Sequence, residues 1–413
     1  MGAGEQLSQF MLKYFRGRNF GYVFRFVLAS PLALLIWLVI EIVNIFRPVY
    51  IVGLSYKGRI TQYMAPMELH LRQANQTKKS YLMIFVMPVA TPNEAVRTIY
   101  SRCALIIDSH YPKIIRSAFG MLSVLLKRRF MPQLLQHHLL WQLEPATELN
   151  KVEIEFGKNL MNDLGIPVGA EYVCLGVKEA AYYASITPES GFGQDLSHQA
   201  KDSRNVDITN YMLAATHLAG LGIYVVRVGS VVSAPLPKDR HPMIIDYASE
   251  ARSELGDVVL GTNCSFFVCG VSGFWVFTST KNIPILICDI FECGFPTDLL
   301  SQHRKSINIL RRIGRKSNSQ LVPFSEMAAG GQKWADDKVL ASLGLEPIPN
   351  TPEEILDAVV EMNDWIDGKL ELSDFDEELQ TKFYNCYPPE TRLEKNPLVR
   401  ISPSFLRKYQ DLL

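Results

Sequence analysis

The sequence lacks an excess of charge of either sign. Its 413 residues include 42 Lys and Arg and 42 Asp and Glu, so no global field would attract nucleic acid, and anions must be bound by local groups. Charged residues make up 20% of the chain and hydrophobic residues 48%, a globular composition that excludes a disordered protein. Because a chain of this length exceeds what one core usually holds, we expect two domains.

Motifs typical of cofactor and metal sites do not occur at the ends of the predicted strands, where they would bind a ligand. No G-x-G-x-x-G follows a predicted strand, which disfavours a nicotinamide-linked enzyme. The D-x-D of Asp374-Phe-Asp376 lies in an acidic C-terminal stretch and not at a strand end, so we predict no metal site. The 7 cysteines lack the spacing of a zinc knuckle, and several lie in apolar runs. We predict buried free thiols in a reducing compartment.

The stretch from Ser265 to Asp289 carries the clearest structural pattern. Its runs 265–269 and 283–288 are apolar, uncharged and not alternating, as expected of strands covered on both faces of a parallel sheet. Small residues and a short helical segment between them predict a strand, turn, helix and strand unit. Backbone N–H groups at Ser272 and Gly273 would then be available to a phosphate, although a tight turn needs small residues even without a ligand.

Residues 20–46 are the candidate membrane segment. Phe26 to Phe46 is apolar except for Glu41 and Asn44, is nearly long enough to cross a bilayer, and follows a basic leader expected on the cytoplasmic side. A simple span would export the rest of the chain, whereas Pro31 and Glu41 allow a kinked, re-entrant or in-plane anchor. A buried core helix is the alternative. The basic residues of the leader are Lys13, Arg16, Arg18 and Arg25.

A second α/β series begins at Tyr172. The polar stretch 187–201 is too long for an ordinary connection and would be either a substrate-facing flap or disordered. Arg204 precedes a predicted helix, and Arg227 ends an apolar strand just before Gly229. Open α/β sheets bind ligands at this rim, where a guanidinium can pair with phosphate. We therefore predict that both arginines bind phosphate.

Several segments resemble, in order along the chain, a bacterial family of surface-polysaccharide-type glycosyltransferases. The resemblance covers residues 47–413. It rests on R-N-V-D-I-T-N-Y (204–211), Y-V-V-R-V-G (224–229), I-I-D-Y-A (244–248), R-S-E-L-G-D (252–257) and F-F-V-C-G-V-S-G (266–273), with weaker likeness at 67–72, 350–359 and the C-terminus. The family's usual Gly-His pair before residues 67–72 is absent, and Val271 replaces a hydroxyl residue of the family's turn.

The resemblance implies an α/β fold of two Rossmann-like domains in a GT-B arrangement, with metal-independent transfer from a nucleotide sugar and no cofactor. The acceptor would be a membrane-associated or surface glycan, or a lipid-linked one, at the cytoplasmic face of the bacterial inner membrane. We divide the chain into a leader and anchor (1–46), an acceptor domain (47–160), a nucleotide-sugar domain (161–345) and C-terminal helices that pack back on the first domain (346–413). A sugar-nucleotide epimerase of the same fold and a non-catalytic membrane-tethered assembly protein are the alternatives.

The resemblance also implies roles for polar residues around the two arginines. Asp207 is a good helix N-cap and could instead order Arg204, and Tyr211 could contact the sugar or the base. Arg252 and Asp257 could bind the donor or form an ion pair that braces their loop. An acceptor base would come from the first domain, where Glu68 and His70 are candidates, although we expect a helix surface for both.

Overall fold

The computed structural model describes residues 20–54, 59–77, 80–87, 90–125, 137–185, 205–270, 272–290, 303–387 and 398–413. The chain divides into two compact units, residues 1–134 and 135–413.

The first unit contains a three-stranded parallel sheet in the order β1-β2-β3 within its described residues. The strands are β1 (Val49–Gly53), β2 (Leu82–Val86) and β3 (Leu105–Ile107). The helices are α1 (Phe20–Phe46), α2 (Ile60–Asn75), α3 (Glu94–Ser101) and α4 (Lys113–Leu125). Asn93 caps α3 by accepting a hydrogen bond from the Val96 N–H. These three strands form a smaller sheet than the seven-stranded sheet of the second unit.

Helix α1 packs one face on this sheet and on α4. Ala29, Ala33 and Ile40 are buried against β1, β2 and α4, because small residues allow the helix to approach closely. The opposite face is apolar and exposed. From Val27 to Phe46 the helix is long and apolar enough to cross a membrane by length and composition. The exposed apolar residues are Phe24, Val27, Leu28, Leu34, Leu35, Leu38, Val39, Ile42, Ile45 and Phe46.

The second unit is built on a seven-stranded sheet in the order β12-β9-β8-β7-β4-β5-β6, in which all neighbouring strands are parallel. The strands are β4 (Tyr172–Gly176), β5 (Tyr224–Arg227), β6 (Ile244–Ile245), β7 (Phe267–Cys269), β8 (Ile285–Ile290), β9 (Ser306–Leu310) and β12 (Val399–Ile401). An antiparallel pair consists of β10 (Arg312–Arg315) and β11 (Leu345–Ile348).

Helices surround this sheet, and several begin with reciprocal side-chain caps. Asn150 with Glu153, Thr351 with Glu354, and Ser373 with Asp376 form capping boxes. The helices are α5 (His137–Trp141), α6 (Lys151–Asp163), α7 (Ala180–Ser185), α8 (Met212–Gly220), α9 (Tyr247–Glu250), α10 (Glu254–Asn263), α11 (Trp275–Ser279), α12 (Phe324–Gly330), α13 (Asp337–Ser342), α14 (Pro352–Ile366), α15 (Asp374–Asn385) and α16 (Pro403–Lys408). Short 3-10 segments lie at Ile208–Tyr211, Gly331–Ala335 and Gln410–Leu412.

The predicted strand, turn, helix and strand unit is confirmed. Strands β7 and β8 are parallel neighbours with α11 between them in the chain, and their side chains are almost all buried. The cysteines at 174, 264, 269 and 288 are buried, as predicted, because they lie on or beside these central strands. Cys293 and the predicted flap at 187–201 lie outside the described residues.

The predicted domain boundaries need two corrections. The second unit begins at residue 135 and includes α6, which packs on α10, so residues 135–160 do not belong to the first domain. The C-terminal helices also belong to the second unit, where α14 packs on α8, β8 and β9. The physical reason is the apolar face that α14 presents with Ile355, Val359 and Met362, which complete the core of the seven-stranded sheet.

Candidate functional site

The seven-stranded sheet has a topological switch point between β4 and β7. From β4 the chain continues to β5 and β6 on one side, whereas β7, β8 and β9 extend the sheet on the other side. The segments that leave the carboxyl ends of β4 and β7 therefore diverge. Crevices of this kind are where open parallel sheets bind ligands.

Three segments meet at this carboxyl edge. A Cβ atom placed on Gly270, just after β7, would lie 3.1 Å from Val206 Cγ2, 3.5 Å from the Tyr211 hydroxyl oxygen and 4.0 Å from Val177 Cβ. The Val206 N–H also donates to the Lys178 carbonyl oxygen at 3.1 Å. Glycine at position 270 thus allows the β7 turn, the segment after β4 and residues 205–211 to pack together.

Ser272 and Gly273 form the turn that was predicted to bind an anion. The Ser272 N–H is used within the turn, since it donates to the Gly270 carbonyl oxygen at 2.7 Å, and the Phe274 N–H faces Ser272 Oγ at 3.4 Å. Gly273 is exposed, and its N–H donates to no acceptor in the part of the chain that the structure describes. This amide is available to an anion, although α11 is too short to add a large dipole.

Tyr211 supplies a second unused donor. Its side chain is 1% exposed, and its buried hydroxyl group, which lies near the Cys288 thiol, makes no hydrogen bond with the residues that the structure describes. Burial raises the pKa of this hydroxyl well above its ordinary value, and the nearby Cys288 thiol and Asp289 carboxylate raise it further. The hydroxyl group therefore stays protonated and can donate. A buried polar group without a partner costs roughly 1–3 kcal/mol, which a ligand oxygen would offset.

Asp289 lies beside Tyr211 at the end of β8. Its Oδ1 atom accepts from the Asn350 N–H at 2.8 Å and from Arg311 Nε at 3.3 Å, whereas the buried Oδ2 atom has no partner in the described parts of the chain. Burial raises the pKa of this carboxyl group, and the Arg311 guanidinium opposes that rise. Its φ of 55° is unusual for a residue other than glycine and stores backbone strain. The sequence offered no sign of this residue beyond its place at a strand end.

Arg227 was predicted to bind phosphate, and the structure shows its guanidinium in a buried ion-pair cluster at the carboxyl end of β5. The side chain is 1% exposed, and its guanidinium lies 2.7 Å from Glu179 Oε1 and 3.3 Å from Asp246 Oδ1. It also donates to the Ala234 carbonyl oxygen at 2.7 Å. Arg227 therefore joins the segments that follow β4, β5 and β6. The other predicted phosphate ligand, Arg204, lies outside the described residues.

The other residues of the second unit that were predicted to bind the nucleotide sugar lie in a cap, a loop and an ion pair. Asp207 is exposed and caps the Ile208–Tyr211 turn by accepting from the Thr209 N–H at 2.9 Å. Gly229 lies in the loop after β5 and is half-buried. Arg252 and Asp257 form the ion pair that we considered, with Nη2 and Oδ2 2.9 Å apart.

Asp257 is held in a small polar cluster. The Tyr247 hydroxyl lies 3.2 Å from its Oδ1 atom and also bonds the Ser253 backbone. Burial raises the pKa of Asp257 to about 6, against the opposing effect of the Arg252 guanidinium. The cluster fixes the start of α10, where Ser253 is the N-cap.

The candidate bases of the first unit are corrected by the structure. Glu68 was expected on a helix surface but is fully buried. Its carboxylate pairs with Arg72 Nε at 2.6 Å and accepts a hydrogen bond from the Tyr100 hydroxyl at 2.5 Å. It is enclosed because its face of α2 packs into the core. His70 is half-buried, with its Nδ1 atom 2.7 Å from the Pro66 carbonyl oxygen.

Sequence reasoning missed a histidine that a buried carboxylate orients. Asp108 follows β3, is fully buried, and lies 2.9 Å from His110 Nδ1 and 2.6 Å from Arg97 Nε. The His110 side chain is 45% exposed, and its Nε2 atom lies 3.5 Å from Glu94 Oε1, so carboxylates on both sides orient the imidazole. An Asp-x-His directly after a predicted strand was the signal that could have found it. Among the described residues, no group of three or more His, Cys, Asp or Glu could hold a metal ion.

Comparison with known proteins gives distant structural likeness only. No protein-family model and no curated protein matches the sequence. Among solved structures, the glycosyl transferase family 9 protein from Veillonella parvula is similar at a TM-score of 0.38 and 9% identity, covering 64% of this chain and 86% of that chain. The dodecameric iron-containing heptosyltransferase TibC in complex with ADP-D-β-D-heptose is similar at a TM-score of 0.29 and 14% identity. The match covers 62% of this chain and 60% of TibC. Neither likeness is close enough to assign this chain to a family.

Proposed function

We propose that this protein is a glycosyltransferase that moves a sugar from a nucleotide-sugar donor to a membrane-associated or surface-glycan acceptor, by metal-independent chemistry. The observation that carries the proposal is the crevice at the β4 and β7 switch point, near which the Gly273 N–H and the Tyr211 hydroxyl both lack an acceptor among the described residues. The sequence resemblance over residues 47–413 supports the same reaction class.

The donor's diphosphate would bind at the β7 turn. Negative charge develops on the departing diphosphate during sugar transfer, so fixed donors directed at that position lower the barrier. The Gly273 N–H and the Tyr211 hydroxyl would supply two of them. Arg204 remains our proposed cationic ligand, as the sequence resemblance implies. Arg227 would act through the loops that it joins, since its guanidinium is already paired with Glu179 and Asp246.

The proposal can be tested by thermal shift on the full-length protein with a panel of nucleoside diphosphates and nucleotide sugars. A ligand present at 100 times its dissociation constant stabilises the folded state by about 2.7 kcal/mol, which such an assay detects readily. Tyr211→Phe should weaken binding of the stabilising nucleotide about tenfold or more, because the ligand loses a buried hydrogen bond. Transfer is then measured with that donor and membrane lipid extracts as the acceptor.

Tyr172→Phe provides a matched control. Tyr172 is also buried, and its hydroxyl donates to the Leu260 carbonyl oxygen at 3.1 Å, but it lies at the amino end of β4, away from the switch point. This variant should bind nucleotide as the unmodified chain does. If no nucleotide stabilises the protein, it is not a transferase of this kind and a non-catalytic assembly role is favoured. Conversion of a nucleotide sugar without acceptor would instead identify an epimerase.

A further inference from the structure

The first unit contains an apolar groove beside α1, with a volume of about 320 Å³. The volume lies within the range of small-ligand pockets, roughly 300–1,000 Å³. Every residue that lines the groove is apolar. One wall is formed by α1 and the other by the sheet and α4; representative residues are Leu35, Val39 and Val43 on α1, and Val49, Ile84 and Phe119 opposite.

The groove is continuous with the exposed apolar face of α1. Leu35 is 59% and Val39 53% exposed, and both also line the groove. Val49 and Ile84 on the opposite wall are 0% and 3% exposed, so they form the floor of a narrow slot. An apolar space of this kind is poorly filled by water, which would have no polar partner there. The site therefore suits a hydrocarbon and not a polar ligand.

The occupant is indicated by the helix that forms the wall. The exposed face of α1 extends over a segment long and apolar enough for a bilayer, yet Ala29 and Ala33 on its other face are packed on the sheet. The surrounding bilayer can therefore contact only the outer face of α1, as for a helix that lies along a membrane surface. The exposed Arg47 directly follows α1, and a cation at this level attracts anionic lipid head groups.

We infer that this groove binds the hydrocarbon chain of a phosphate-bearing membrane lipid. This inference rests on the proposed function in one respect: the bound lipid would be the one that carries the acceptor glycan. Helix α1 then serves both as an in-plane anchor and as one wall of a lipid-binding site. Each methylene group that enters the groove should strengthen binding about fourfold, so dodecyl phosphate should bind roughly 15-fold more tightly than decyl phosphate until the groove is full.

The test uses the full-length chain reconstituted in phosphatidylcholine vesicles and a dodecyl phosphate that carries a photoreactive diazirine at the end of its chain. Labelled positions are mapped by mass spectrometry. Phe119 and Leu82 line the groove and are half-buried, so a probe chain inside the groove can reach them, whereas Leu38 and Ile42 on the outer face report simple contact with lipid. We expect labelling of Phe119 and Leu82 in the unmodified chain.

Two tryptophan variants on exposed positions separate the groove from the membrane face. Val39→Trp should fill the groove and reduce labelling of Phe119 and Leu82 at least tenfold. Leu38 lies on the same helix, is 48% exposed and does not line the groove. Leu38→Trp should therefore leave this labelling unchanged. Both variants add the same side chain to an exposed helix face, which controls for folding.

Labelling confined to Leu38 and Ile42, or equal labelling of Phe119 and Leu82 in both variants, would overturn the groove assignment. A dimer that Leu38→Trp weakens in analytical ultracentrifugation, with no label inside the groove, would show that a second copy covers this face instead. The thermal-shift assay with nucleotides is independent of this experiment. Groove labelling without nucleotide binding would reject the transferase and keep the lipid site, whereas nucleotide binding without groove labelling would do the reverse.

Discussion

Arg227→Ala should destabilise the second unit, because it removes the cation from a buried cluster that holds two carboxylates. The side chains of Arg227, Glu179 and Asp246 are 1%, 7% and 0% exposed. After the substitution, Glu179 keeps its bond from the Ser233 N–H and Asp246 keeps its bond from the Leu236 N–H, both at 2.7 Å. Neither amide neutralises a charge, so two buried anions remain without a countercharge.

The expected loss of stability is about 3–5 kcal/mol, the usual result of breaking a buried ion pair by removing one partner. For a unit of this size the loss lowers the melting temperature on the order of 10 °C. The chain has two units and need not unfold in a single step, so hydrogen exchange of the β5 amides should accompany calorimetry. The β5 amides should exchange faster, since Arg227 is the last residue of that strand.

Arg315→Ala is the matched control. Arg315 also pairs with a carboxylate, Glu326, but the two side chains are 37% and 41% exposed, and removing such a pair costs about 0–1 kcal/mol. The double variant Arg227→Ala/Asp246→Asn tests the cause directly, because asparagine keeps the acceptor for the Leu236 N–H without the charge. It should be more stable than Arg227→Ala alone. Equal stability of the double and single variants would refute the unpaired-charge explanation.

Three further substitutions test the neighbouring polar and packing features. Tyr211→Phe should leave the ligand-free protein as stable as before or more stable by up to about 1 kcal/mol, because the removed hydroxyl has no partner; a clear loss in calorimetry would show that it makes a stabilising bond. The folded-state pKa of Asp257, about 6 against an ordinary 3.8, means that the contribution of this group to stability is greatest below pH 4 and is lost as the pH rises through 6, by up to about 3 kcal/mol. Asp257→Asn should abolish this fall, and melting curves from pH 4 to about 7 that keep the wild-type slope would contradict it. Gly261→Ala should cost roughly 1–3 kcal/mol, since its Cβ would lie 2.6 Å from Phe277 Cβ, whereas Gly120→Ala, with nothing within 4 Å, should be neutral or stabilising in the same assay.

Local pattern was sufficient for the central strands and the turn between them. The uncharged runs on either side of residues 270–273 predicted β7 and β8 because strands covered on both faces leave no place for a charged side chain. The caps of α6, α14 and α15 involve side chains three residues apart, so the sequence specifies them directly. Glu68 was predicted to lie on a helix surface and is buried instead, because the sequence of one helix does not show which other segments pack against it.

Neighbouring residues were enough to predict the parallel α/β character of the chain, the β7 turn, the buried cysteines and the apolar stretch that becomes α1. Only the folded chain reveals the partners of Arg227, which lie 48 and 19 residues away, the Tyr211 hydroxyl without a partner among the described residues, the attachment of the C-terminal helices to the second unit and the groove beside α1. These features arise where distant segments pack together. Burial and long-range pairing depend on which surfaces the fold brings into contact, and the order of residues within one segment does not show this.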